Sequence, residues 1–493
     1  MSMVRMNAST WSSDYELPVP FEVVLPNGKN VICEEVVRAM PGRRYVCRGR
    51  VGEQAIFIKL FSMSHRASRE WHDEQTGIEA LHTAGIAAPT ILYAGVIKDA
   101  ETQVVVYAAL PDAESARQCW EQGGEAMRLE VLNDLVELIA QHHAAGLRQV
   151  DLHLLNFIYS DATLYTLDAS DINTSANPLS RSDSMDGLAD LLALLPVEYD
   201  EVAGDIYVNY WQHRSQPENN AERSALLQHV IDKRAYKLRK YLKKVFRSCS
   251  AFVANKTWRE FTVYDRSCES ESLRTLLVDP DHAPSMGQAK ILKDGNTCTV
   301  TALELDAKPL VCKRYNIKNI LHALSRAFRP SRAACSWKNS HHLLRCGIAT
   351  ARPVAMREQR LGPMRGRGWL FMERIHGDNL YYYHDHPERL ASDTFKKIAQ
   401  AVSQLFEKMV QERISHGDMK AGNFIYHDDK LYLIDLDSMQ AHTHKKSFEE
   451  AFTRDMSRFF KNWQNHPATI ALFHEALSQT IVGPYLPIDA NRE

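Results

Sequence analysis

The chain has 493 residues, enough for two or three domains, and its 45% hydrophobic and 24% charged residues are the balance of an ordinary folded protein. A formal charge of -2 argues against a general nucleic-acid binder, and nine cysteines with no C-x-x-C pair argue against zinc and disulfide scaffolds. The first residues lack the apolar core of a signal peptide, and no run approaches the roughly 18 apolar residues of a membrane span. The expectation is a cytosolic protein that meets a membrane, if at all, from its surface.

In chain order, a polar leader gives way to a short strand at Phe21 to Leu25, ended by Pro26-Asn27-Gly28. Tyr45 to Val51 and Ala55 to Lys59 read as a hairpin whose second strand ends in a lysine, where a kinase keeps its phosphate-pairing Lys. Glu74, Ile78 and Leu81 share one helical face, which makes Glu74 the partner expected for Lys59, with Glu70 and Glu79 competing. Val104 to Leu110 leads into a hinge, and Val131, Leu135, Leu138 and Ile139 form the helix that delivers the chain to Asp151. Past Asp168 a long basic helix runs from Glu222 to about Phe252. It reads as a solvated face, with a docking surface for anionic lipid or substrate as the alternative. The polar stretch Arg266 to His282 reads as a linker, giving a first domain over 1–265, a linker over 266–285 and a second domain over 286–493.

The second domain repeats the plan, with a strand ending in Lys313 and no G-x-G-x-x-G before it. No Asp or Glu occurs between Tyr315 and Met356, so Lys313 has no acidic helix partner there. Ile317, Ile320, Leu321, Leu324 and Phe328 among basic residues read as a core helix or a lipid-facing basic helix. Trp369 to Met372, with Glu373 and Arg374, take the hinge position, and Phe395 to Met409 form the helix before His416. The close pairs His384/His386 and His442/His444 read as surface histidines, since no carboxylate or Cys set surrounds them.

The next stretch, S-H-G-D-M-K-A-G-N-F-I-Y-H-D-D-K-L-Y-L-I-D-L-D, carries Asp418, Lys420, Asn423 and Asp435 at the spacing of a kinase catalytic loop and its metal-binding aspartate. Phosphoryl transfer needs a carboxylate for the acceptor hydroxyl's proton, a cation near the moving group, and two oxygen ligands for Mg²⁺. Those four residues supply the parts in order. Subtracting 267 lays Asp418, Asn423 and Asp435 on Asp151, Asn156 and Asp168, and nine of the eighteen positions from 151 to 168 are identical. The N-terminal loop has Gln149 and His153 where the C-terminal one has His416 and Lys420. The repeat implies an α+β chain of two tandem bilobal protein-kinase-like domains. The C-terminal copy is expected to be the main catalyst. The N-terminal copy reads as a weaker kinase, a kinase for another hydroxyl, or a nucleotide-holding partner.

Lys313-Arg314-Tyr315-Asn316, Trp337-Lys338-Asn339, H-G-D-M-K-A-G-N-F and I-D-L-D-S-M together resemble the lipopolysaccharide kinase (Kdo/WaaP) family. The resemblance runs over most of residues 286–465, and more loosely over 36–195. It implies ATP-dependent, Mg²⁺-assisted phosphorylation of an inner-core sugar hydroxyl of lipopolysaccharide or its precursor, on the cytoplasmic face of the inner membrane. By matching positions Asp418 would be the base, Asn423 and Asp435 the metal ligands, with Asp437 a second carboxylate, and Lys313 the nucleotide lysine. Two alternatives stay open: a kinase of another small-molecule or protein acceptor, and a nucleotide-binding scaffold without transfer.

Overall fold

The computed structural model describes residues 4–6, 11, 17–40, 42–285, 289–316, 329–386, 389 and 392–487. The chain divides into two compact units, Met1–Tyr236 and Lys237–Glu493. In the N-terminal unit a seven-stranded sheet runs in the order Val4–Arg5, Phe21–Val24, Asn30–Met40, Arg44–Val51, Gln54–Ser62, Thr102–Ala108, Ile91–Ile97. Only the first pairing is parallel. Alternation sets the faces of the central strand: Ile56, Ile58 and Leu60 are buried in one apolar cluster, which sends Lys59 to the opposite side. The helix His65–Thr83 follows, with Glu74, Ile78 and Leu81 buried along it. Helices Glu125–Ala144, Arg181–Leu192 and Ala203–His213 build the second, larger core of this unit.

The C-terminal unit has its own seven-stranded sheet, in the order Phe252–Lys256, Glu260–Asp265, Pro353–Leu361, Met364–Glu373, Lys308–Tyr315, Cys298–Leu305, Lys290–Asp294. Its last five strands repeat the N-terminal arrangement: Lys313 faces Leu370 across one pairing and Val300 across the other, as Lys59 faces Val105 and Val46. The extra strands differ. The N-terminal sheet extends beyond the strand equivalent to Lys290–Asp294, and the C-terminal sheet extends beyond the opposite edge. Helices Asp393–Gln411, Lys445–Lys461 and Pro467–Ser478 pack Phe395, Phe406, Phe459 and Phe473 into an aromatic core around Phe424. Each such buried ring contributes roughly 1.5–3 kcal/mol.

These extra strands correct the expected domain boundary. Phe252–Lys256 and Glu260–Asp265 belong to the C-terminal sheet, where Glu260–Tyr264 pair with Ala355–Gln359. Residues 266–285 are not a linker. They include the helix Glu271–Val278, whose Leu273, Leu276 and Leu277 are buried against Phe371 and Leu303. The polar composition that suggested a linker belongs to the exposed side of this short amphipathic helix. The division between the units falls within the basic helix Asn220–Lys244, and that helix is not a bare charged face: Lys233 pairs with Asp186 at 2.7 Å and Arg234 with Asp200 at 2.7 Å. The amphipathic segment 317–328 lies outside the described residues.

Candidate active site

In the C-terminal unit the strand–turn–strand from Phe424 to Leu433 is flanked by the two loops that carry the candidate residues. Backbone bonds lock these loops together, Asn423 N–H donating to Lys420 O and Ile434 N–H to Asn423 O, each at 2.9 Å. The first loop is anchored by Asp455, a buried carboxylate on the helix Lys445–Lys461, which accepts from the backbone N–H of His416 at 2.6 Å and of Gly417 at 2.9 Å. Burial pushes the Asp455 carboxyl up, against these bonds to its ionised form. The buried His416 ring spans the two loops, with Nε2 2.9 Å from Ile434 O.

Asp418 then stands with Oδ2 2.6 Å from Lys420 Nζ, and the Asn423 side-chain amide donates to the Asp418 carbonyl at 2.8 Å. Asp435 sits in the left-handed region, φ 64°, and its carboxylate pairs with Lys313. Burial opposes the Asp435 charge, yet Lys313 holds the carboxyl well below its usual range. Burial likewise opposes the Lys313 charge, and Tyr315 and Asp435 hold the ammonium above the ordinary lysine value. Two residues on, Asp437 pairs with Arg332 at the start of the helix Arg332–Arg345. On the same helix Asn339 donates to the carbonyls of Leu436 and Met439 at 2.8 and 3.1 Å, so it fixes the loop that presents Asp435 and Asp437.

Lys313, Lys420, Asn423 and Asp435 line one cavity of about 580 Å³, with Tyr315, Met372 and Glu373. Glu373 is at its edge, half exposed and 3.5 Å from Arg352. Asp418 lines a second, polar cavity of about 450 Å³ with Ser438, Gln440, His442, Arg454 and Arg458. His442 is part of this wall, 2.7 Å from Ser415 Oγ, rather than a free surface histidine. Of the other histidines, His386 Nδ1 lies 2.8 Å from Tyr382 O, and the side chain of His384 is outside the described residues. No group of three or more His, Cys, Asp or Glu placed to hold a metal occurs among the described residues.

The N-terminal unit reproduces part of this frame. Leu167 N–H donates to Asn156 O at 2.7 Å, Asn156 Nδ2 donates to Asp151 O at 2.9 Å, and Gln149 Nε2 reaches Leu167 O at 3.1 Å, where His416 reaches Ile434. Asp168 is left-handed at φ 55°. Lys59 Nζ lies 2.7 Å from Glu74 and 3.0 Å from Asp168. Glu74 also accepts from Tyr107 OH at 2.7 Å and Ser170 N at 3.2 Å. Among the glutamates that compete for Lys59, Glu70 pairs with Arg43 and Glu79 is exposed. A cavity of about 530 Å³ is lined by Arg38, Arg44, Lys59, Glu74, Asn156 and Asp168. Asp151 is outside that lining, 66% exposed and 3.5 Å from His153, itself exposed.

Sequence reasoning missed Asp455, Arg332, Arg38 and Arg44. Asp455 carried a signal, being an acid on the apolar face formed by Phe452, Met456 and Phe459. The arginines carried none: each lies among strand or helix residues of ordinary composition, and only the fold brings it to an aspartate more than 100 positions away.

Residues 285–476 match the model of the Lipopolysaccharide kinase (Kdo/WaaP) family. That match makes this region a kinase domain, a phosphotransferase with a hydroxyl acceptor. No curated protein sequence matches the chain. Among solved structures, WaaP in complex with acyl carrier protein is similar at 18% identity over 42% of this chain and 88% of that one, with a TM-score of 0.29. WbdD is similar at 18% identity over 43% of this chain and 53% of that one, with a TM-score of 0.31. No helix among the described residues is long and apolar enough to cross a membrane.

Proposed function

We propose that the C-terminal unit transfers the γ-phosphoryl group of ATP to a sugar hydroxyl of the lipopolysaccharide inner core or its precursor. In this reading the chain holds two bilobal protein-kinase-like domains in tandem. The observation that carries the chemistry is the place of Asp418: it lines the polar cavity, while Lys420, 2.6 Å away, lines the cavity of Lys313 and Asp435. Nucleotide on one side and acceptor on the other would meet at this pair. Asp418 takes the proton of the acceptor hydroxyl as its oxygen bonds to the γ-phosphorus and the bond to the departing ADP breaks. Lys420 places positive charge beside the moving group.

Lys313 and the hinge around Glu373 hold the nucleotide, and the carboxylate–ammonium contact at Asp435 keeps both groups ionised for it. Asn423 and Asp435 would hold Mg²⁺, with Asp437 as a second carboxylate. Few protein oxygens, completed by water and phosphate, suit this ion, and the amide nitrogen of Asn423 is already committed to Asp418, leaving its oxygen as the donor. When bound, the ion neutralises phosphate charge. A sugar acceptor is supported by the family match and by a cavity walled with Ser438, Gln440, His442, Arg454 and Arg458, side chains suited to hydroxyl and acidic groups. Work at the cytoplasmic face of the inner membrane, against an anionic surface, follows from that acceptor; nucleic acid has no part.

The N-terminal set Lys59, Glu74, Asp151, Asn156 and Asp168 is assigned to a weaker or silent copy of this site, because His153 and Asp151 stand open to solvent. Mass spectrometry of the lipopolysaccharide core from cells with and without the protein tests the acceptor. Loss of one phosphate on one core sugar is expected. An unchanged core, alongside ATP-dependent phosphorylation of another acceptor by the purified chain, would overturn the substrate and leave the chemistry.

A further inference from the structure

The two cavities differ in how their aspartates are neutralised. Asp435 has a single ion-pair partner among the described residues, Lys313, and a second carboxylate, Asp437, two positions on. Asp168 has three cations: Lys59 at 3.0 Å, Arg44 at 3.4 Å and Arg38 at 3.8 Å. The counterpart of Asp437, at 437 minus 267, is Ser170, and its backbone N–H is held by Glu74. Asp171, one residue further, is exposed and outside the cavity lining.

A divalent cation does not fit this arrangement. At the C-terminal metal position two carboxylates, Asp435 and Asp437, face two cations, Lys313 and Arg332, whereas here a single carboxylate is shared among an ammonium and two guanidiniums, which repel a divalent cation and leave it one charged oxygen donor group. Both arginines come from the strands over the cavity, Arg38 from Asn30–Met40 and Arg44 from Arg44–Val51. Arg44 is buried, with a side-chain Nε that has no hydrogen-bond partner. The C-terminal unit has Cys298 at the place of Arg44, since Arg44 faces Phe61 two residues past Lys59 and Cys298 faces Tyr315 two past Lys313. Guanidiniums are the side chains that bind phosphate in a bidentate fork without a metal. Most of the rest of the lining, Val46, Ile78, Ile158 and Leu167 among it, is apolar, with Ser115 and Gln118 as polar exceptions, which suits a base-sized ring with a polar edge.

We propose that the N-terminal cavity binds a nucleoside polyphosphate without a divalent cation, Arg38 and Arg44 taking the metal's place at the phosphates. The inference rests on the reading of the N-terminal unit as kinase-like. It assigns that unit a nucleotide-holding role that chelation of Mg²⁺ leaves intact.

The test is equilibrium binding of ATP to the full chain in excess Mg²⁺ and in excess EDTA, with the occupied cavity located by photo-crosslinking with an azido-ATP and peptide mapping. In EDTA, ATP should label N-terminal peptides only. Arg38→Gln, whose side chain is half exposed, and Arg44→Gln should each weaken that binding about tenfold, while labelling of the C-terminal cavity in Mg²⁺ stays unchanged. Arg44→Lys should recover part of the loss, and an unchanged melting curve for Arg38→Gln separates lost binding from lost folding. N-terminal labelling that needs Mg²⁺ would overturn the metal-free mode and keep the kinase-like reading. EDTA-resistant binding indifferent to both arginines would overturn their role. No N-terminal labelling in either condition, with phosphoryl transfer intact, would remove the nucleotide site from this unit altogether.

Discussion

The two loops that end at Asn156 and Asn423 share the backbone bonds at the asparagine, from Asn N–H to the residue three back and from Leu167 or Ile434 N–H to the Asn carbonyl, and differ in the support beneath them. Asp455 clamps the C-terminal loop from a buried helix, whereas at the corresponding place the N-terminal unit has Leu188, a core residue, and its loop stands open at Val150, Asp151 and Leu155. The helices beside the loops differ in the reverse sense. The N-terminal helix brings Glu74 onto Lys59, whereas the C-terminal one has Ser336 in the wall of the same cavity as Lys313, bonded at 2.7 Å to Tyr315 OH and not to the lysine. Gly77 lets the N-terminal helix touch Ala169 directly, since a Cβ there would lie 2.2 Å from Ala169 O. In the C-terminal unit Asn339 spans the same gap with two hydrogen bonds. One copy thus commits its buried polar contacts to the lysine, the other to the loop that carries Asp418. On the function proposed above, the first would serve to bind a phosphoryl donor and the second to carry out transfer.

The largest effect expected from this contrast is on the metal. Asp435→Asn should lower phosphoryl transfer by at least about a hundredfold and abolish Mg²⁺-dependent ATP labelling of the C-terminal cavity. Asp168→Asn should leave transfer nearly intact, and a transfer assay on both variants decides between them. Next comes the clamp. Asp455→Ala strips a buried acceptor from two backbone N–H groups and should destabilise the C-terminal unit by about 3 kcal/mol, seen as a lower melting temperature together with weakened transfer; a wild-type melting curve would show that the loop is held by something else.

The frame of both sites was legible from sequence because it rests on short-range spacing: D-x-x-x-x-N-F-I-Y and the aspartate seventeen residues past the first fix a loop and a hairpin with few degrees of freedom. Glu74 was legible because helical periodicity placed it with Ile78 and Leu81. The domain boundary was not, because a strand pair that joins the next sheet has the same local pattern as one that closes the previous sheet. The pairing of Glu260–Tyr264 with Ala355–Gln359 spans about a hundred residues and leaves no local mark. Arg38 and Arg44 were hidden for the same reason, each being one more strand residue until the fold delivers Asp168.

Smaller effects sharpen the comparison of the two lysines. Glu74→Gln should destabilise the N-terminal unit by about 2–4 kcal/mol, since it leaves Lys59 short of a buried partner, whereas Ser336→Ala should cost the C-terminal unit about 1 kcal/mol. Chemical denaturation of the two variants measures both. Equal losses would mean that a helix carboxylate on the lysine does not distinguish the units.

The smallest contrast concerns pH. Burial pulls His142 down to about 4 and His143 to about 3 in one unit, and His341 and His342 to about 4 in the other. Each folded value lies below the unfolded one of about 6.5, so the unfolded chain binds the extra proton first and stability is lost as pH falls from there toward 4. Each histidine adds up to about 1.4 kcal/mol per pH unit in that window. Melting curves between these limits should move both units downward together, and a shift confined to one unit would contradict the shared burial.

The central claim is that transfer belongs to the loop that Asp455 clamps. It is tested most directly by phosphate incorporated into one purified lipopolysaccharide acceptor by Asp418→Asn and by Asp151→Asn. The account predicts a fall of about 10²–10⁴ for Asp418→Asn and near-wild-type product for Asp151→Asn; a silent Asp418→Asn beside an inactive Asp151→Asn would contradict it.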